Sequence, residues 1–287
     1  MSRRHSYKRE KDVQSGCIYR RAGEPEHEGR LTDEHIIAES VGGTLVLEAA
    51  SCPACAGETH AFEGHAFDPL RPLRQQLGFP MSRETKRRIK TKGEDNFIVK
   101  ADGKKIKVPM SEFPALAIHL AFPMPGILIN QPMDDRALGG GIHAIELTPG
   151  FGERFNRLRA KLRAREIQIL GVEAAAQRQN QNDYGRMLAK VAHSYAVAEL
   201  GLGNFRPFLL DIIHNKSPLN LSHYIGSSIG KPDEPTDLHE IGFARRGMIG
   251  ADELVIVKVR LFASLQGQTH YIVVGEWVTL PARAARA

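Results

Sequence analysis

The chemistry this sequence can do starts from three thiols and one short acidic-imidazole string. Cys52-Pro-Ala-Cys55 is a C-x2-C pair, and such a knuckle at a strand-to-helix turn is half of a tetrahedral zinc site. Cys17, upstream, is the third and last cysteine of the chain. Between them stands Thr32-Asp-Glu-His-Ile-Ile37. An imidazole titrates near neutral pH, so His35 is a candidate general base. The carboxylates of Glu34 and Asp33 beside it are candidate ligands for a hard divalent cation. Each group has a plainer reading when taken alone: a strand-edge histidine, a solvated acidic turn, a reduced thiol pair at a helix start.

Elements of the right kind surround these residues. Ile36-Ile37 and Leu45-Val-Leu47 suggest two short strands joined across Gly42-Gly43. Ser51 is a plausible N-cap for a helix running through Ala61 toward Phe67, which Pro69 and Pro72 then break. Strand, strand and helix therefore bracket the candidate site. Residues 1–16 read as a polar, extended arm. Further on, 96–101 and 104–108 flank Asp102-Gly103 as a hairpin. Gly126–Asn130 and Ile142–Leu147 read as strands. Glu153–Gln168 reads as a helix with Phe155, Leu158, Leu162 and Ile169 on one stripe and Arg154, Arg157, Lys161 and Arg165 outside it. Asp183–Leu200 and Phe205–Ile213 read as two more helices, and Leu254–Phe262 and His270–Val278 as a strand pair. The expected class is α+β. A module over residues 1–78 is followed by a basic connection with a hairpin over 79–125 and a larger α+β domain over 126–287.

The residues from Cys17-Ile-Tyr through Leu31-Thr-Asp-Glu-His-Ile-Ile37, Gly42-Gly43, Leu45-Val-Leu47 and Ala50-Ser-Cys-Pro-Ala-Cys55 resemble the HNH endonucleases. The match is to the branch with a zinc-knuckled, treble-clef-like ββα-metal module and a D-E-H-I-I string. It continues through Thr59, Phe62-Glu63 and Leu70-Arg-Pro-Leu-Arg74, and it implies an N-terminal module of that fold. It also implies hydrolysis of DNA phosphodiester bonds by a water that His35 deprotonates. One Mg2+ or another divalent cation would be held by Glu34, with Asp33 as second choice. Structural Zn2+ would be held by Cys17, Cys52 and Cys55. Two positions depart from the family pattern. Arg20 stands where the first knuckle has its second cysteine, which leaves the fourth zinc ligand to His27 or water, or leaves the knuckle without zinc. Ala56 stands where many members carry a metal-ligating Asn or His. Residues 56, 60 and 63 fall on one helix face, so His60 or Glu63 could reach the same metal, and Glu63 lies in the matching stretch. These departures motivate a second reading, a catalytically degenerate nucleic-acid-binding protein of the same type.

Charge points to the same partner. Lys+Arg number 39 against 33 Asp+Glu, a formal +6. Residues 71–107 hold twelve basic and four acidic side chains, +8, so the remainder sums to −2. Arg83, Lys86, Arg87, Arg88, Lys90 and Lys92 are the candidate contacts to a DNA backbone. An odd number of cysteines rules out a disulfide framework, no apolar run approaches a membrane span, and the first residues lack a secretory h-region. The expectation is a cytoplasmic protein with reduced thiols and no membrane partner.

Overall fold

The computed structural model describes residues 5–8, 16–21, 23–26, 28–70, 77–79, 96–101, 104–109, 112, 116–133, 142–147, 150–173, 180–216, 221–228, 234, 237–244 and 253–278. The fold is α+β, as expected. The first sheet has the order β1-β3-β2, from β1 (His5–Tyr7), β2 (Thr32–His35) and β3 (Leu45–Ser51). β2 runs antiparallel to β3, with Glu34 opposite Leu47 and His35 opposite Val46. β1 runs parallel to β3, so part of the expected arm is a sheet edge. The chain reaches β3 through a 3-10 turn, Glu39–Val41, that ends on Gly42 at φ +90°. A Cβ on Gly43 would lie 2.0 Å from the Ile37 carbonyl oxygen, so this close approach admits only glycine. Helix α1 (Pro53–Phe67) follows at once. Cys52 caps it, one residue later than the expected Ser51, with Pro53 in the first turn where a missing N–H costs nothing.

Two smaller sheets follow among the described residues. β4 (Asn96–Ala101) and β5 (Lys104–Pro109) form the expected hairpin, which β8 (Ile169–Glu173) extends; β6 (Leu116–Ala121) pairs with β7 (Ile142–Leu147). Gly126–Ile129 is a 3-10 turn, not the expected strand: Pro125 precedes it and Asn130 ends it at φ +52°, a left-handed stop that breaks extended pairing. Helix α2 (Phe151–Arg163) ends earlier than its apolar stripe suggested, and Ile169 starts β8.

Helix α3 (Gln181–Leu200) is the centre of the molecule. Asn180 caps it, accepting from the Asn182 and Asp183 amides. It is buried almost all round, as a helix is when it lies between two layers. One side packs on α1, the other on β12 (Leu254–Arg260) and β13 (Thr269–Trp277). Those two strands centre an antiparallel sheet ordered β10-β13-β12-β11, with β10 at Ile225–Ser227, β11 at Glu240–Phe243, and β9 (Phe205–Pro207) also on β13. The expected helix over Phe205–Ile213 is thus split: β9 pairs first, and only Leu210–Ile213 is helical (α4); a second single turn, α5, spans Leu221–Tyr224. One hydrophobic core runs from Cys17, Ile18 and Phe62 through Met187 and Val191 to Val257 and Val274. Among the described residues, no helix is long and apolar enough to cross a membrane.

Fully buried His193 ties α3 to the Cys17 turn by donating its Nε2–H to the Ile18 carbonyl at 2.8 Å. Burial pushes its pKa down to about 4. Because the folded value lies below the unfolded one, its contribution is intact at neutral pH and lost as pH falls from the ordinary histidine range toward 4. Acidification through that window is expected to remove up to about 3 kcal/mol, and His193→Gln to flatten that part of a urea-midpoint profile against pH.

Candidate functional site

The three cysteines meet. The Cys17, Cys52 and Cys55 sulfurs all lie within 4.8 Å of one another, buried, where they could hold a metal ion. Local backbone geometry brings them there. Cys17–Arg20 is a tight turn closed by the Arg20 amide on the Cys17 carbonyl at 3.1 Å. The Cys52 amide points at Cys17 Sγ and the Cys55 amide at Cys52 Sγ, each at 3.4 Å. Donors aimed at sulfur favour the thiolate that a soft cation needs. Without a cation the cluster resists ionising: hydrogen bonding with Cys17 first, then burial, push the Cys55 thiol well above its ordinary value. The donor set fits zinc with three of four ligands. Arg20 is exposed, outside the cluster, and His27 lies outside the described residues.

Glu34 of β2 and Glu63 of α1 also converge, as expected of metal ligands. The cation between them, however, belongs to the chain. Lys190 of α3 places Nζ 2.6 Å from Glu34 Oε1 and 2.9 Å from Glu63 Oε1, and also donates to the His35 carbonyl. Lys190 is 0% exposed, Glu34 6% and Glu63 9%. Burial alone would lower the Lys190 pKa; the two carboxylates outweigh it and the value is raised. Burial is also the largest influence on Glu63 and raises it, against the pull of Lys190. These residues do not fit a hydrated Mg2+. Both carboxylates are out of solvent and already hold an ammonium, so no chemical step is assigned to a divalent ion here.

The other expected residues are dispersed. Asp33 is exposed at a bulge of β2 and accepts from the Ala49 amide at 3.1 Å. That is a local turn contact. His35 is half-buried at the end of β2, and successive strand residues face opposite sides, so its ring and the Glu34 carboxylate diverge. His60 is exposed whereas Glu63, one turn further along α1, is buried. Arg83, Lys86, Arg87, Arg88, Lys90 and Lys92 lie outside the described residues. The residue missed from sequence is Lys190. Its signal is a charge set between the apolar Met187 and Val191 on one side of the helix. A neighbouring network also went unforeseen: Glu58 of α1 accepts from Arg186 at 2.9 Å and from His214 Nδ1 at 2.8 Å, again bolting α1 to the C-terminal part. Compared with known proteins, the chain matches no family model, no curated protein and no solved structure.

Proposed function

We propose that this chain is a DNA-binding protein of HNH endonuclease type whose ββα module has lost metal-dependent hydrolysis. One observation carries the choice: the Lys190 ammonium occupies the point where Glu34 and Glu63 converge, at 2.6 and 2.9 Å. A hydrolytic cation there would have to expel a buried lysine from between two buried carboxylates. The sulfur cluster holds β3 and α1 in register, and basic surface supplies affinity for the phosphate backbone.

The second reading is an active HNH endonuclease with His35 as general base. It is favoured by the half-buried His35 at the end of β2, adjacent in sequence to Glu34. The two readings separate in one experiment. Full-length protein and His35→Ala are compared for duplex binding by fluorescence anisotropy and for plasmid nicking with Mg2+, Mn2+ and Ni2+. Equal binding and no nicking by either protein are expected. Nicking by the wild type that His35→Ala abolishes would establish the endonuclease.

A further inference from the structure

We infer that the row Arg154, Arg157 and Lys161 on one face of α2, continued by Arg165 in the turn that follows the helix, is a docking surface for the phosphodiester backbone of duplex DNA. The inference rests on the DNA-binding reading above and names the surface that does the binding. Between residues 154 and 165 the sequence has six basic side chains and no acid. This density is hidden in the whole-chain balance because acids elsewhere cancel it.

Helix stability does not account for the row. Lys161 and Arg163 in the last turn complement the helix dipole, but Arg154 and Arg157 sit toward the N-terminal half, where positive charge opposes it. Packing does not account for it either: Leu158 and Leu162 are the buried residues of this helix, while Arg157, Lys161 and Arg165 are exposed. Arg154, Arg157 and Lys161 beside those leucines have spacing i, i+3 and i+7, which keeps them on one helix face over about 10 Å, and Arg165 follows in the turn after the helix. The row also borders a concavity of about 350 Å³ lined by Arg154, Arg157, Leu158, Lys161 and Glu112. Glu112 pairs with Lys161 and fixes its stem, so three cations face the space against one carboxylate. Three of the four cations are arginine, whose planar fork binds phosphate oxygens in pairs. Arg159 and Arg163 lie on the opposite flank of the leucines and provide a control of equal charge.

The test uses full-length protein and a duplex oligonucleotide, with anisotropy titrations over a series of NaCl concentrations. Arg157→Gln/Arg165→Gln is compared with Arg159→Gln/Arg163→Gln; all four positions are exposed, and circular dichroism checks the fold. The first pair is expected to lower the slope of log K against log salt by about 2, and the second by much less. Equal losses from both pairs would mean diffuse attraction without a docking row and would overturn the inference. A wild-type slope in the first pair would overturn it too, leaving the DNA-binding reading intact. Absence of duplex binding by the wild type at low salt would overturn both.

Discussion

Replacing Lys190 by methionine is expected to destabilise the folded chain by about 3–5 kcal/mol, read from the urea midpoint. The side chains are close in size, so the loss is one of charge. Glu34 and Glu63 would be left buried without their shared cation, and one or both would have to take a proton. Neutralising the whole cluster, as Glu34→Gln/Glu63→Gln/Lys190→Met, is expected to recover most of that loss, because a buried ion cluster gains little over neutral groups of similar volume. The pH dependence has a definite sign. The Lys190 pKa is raised in the fold, so its contribution is complete below the ordinary lysine range and lost as pH climbs through the folded value. Glu63 is raised as well, so its ionisation costs the fold stability above the ordinary glutamate range. The lysine therefore has its effect where the glutamate is most in need of it. A second outcome separates this arrangement from a metal site. Millimolar Mg2+ is expected to leave the wild-type midpoint unchanged and to raise that of Lys190→Ala, whose shorter side chain vacates the space between the carboxylates. Mg2+ stabilisation of the wild type that Glu34→Gln removes would mean that the lysine yields to the metal.

What could be read from the sequence follows from how local the signals are. β3, α1, the β4–β5 hairpin, α3 and the β12–β13 pair rest on turns, caps and periodicities contained within a few residues, whereas β2 lies at Thr32–His35, just before the Ile36-Ile37 pair read as its strand. The three cysteines were legible because two share a C-x2-C turn and the third lies in a recognisable partner string. Other features depend on distant pairing. β1 pairs in parallel with β3, and nothing within residues 5–7 specifies that edge. β9 resembles a helix start until it is set against β13. Lys190 is the clearest case. It lies 155 residues from the carbonyl it bonds, and only tertiary packing of α3 on α1 makes it the counter-ion of a pair read as metal ligands. Glu34 and Glu63 were expected to share a divalent ion; the structure brings them together around Lys190. This also joins the expected 1–78 module to the 126–287 portion through one ion cluster and one core.

Cys52 gives a prediction in which zinc reverses the order of stability. Purified protein is expected to carry one zinc per chain, measured by mass spectrometry, on Cys17, Cys52 and Cys55. With free zinc about 1,000-fold above its dissociation constant, binding would contribute about 4 kcal/mol, and chelation should lower the melting temperature by on the order of 10 °C. Loss of stability on mutating a cysteine does not alone demonstrate this, because Cys52 also caps α1, its sulfur accepting from the Cys55 amide at 3.4 Å. Cys52→Ser separates the two roles. Serine is a preferred N-cap and its oxygen accepts a stronger hydrogen bond than sulfur, but it is a poor zinc ligand beside thiolates. In chelator, Cys52→Ser is expected to equal or exceed the wild type in melting temperature. With zinc, the wild type should be the more stable by several degrees, and Cys17→Ser, at a position that caps no helix, should show only the zinc-dependent loss. If Cys52→Ser differs from the wild type by the same amount with and without zinc, the cluster holds no metal and the thiols serve packing alone. If the order reverses, the sulfurs are ligands, and three thiols suffice to hold the ion.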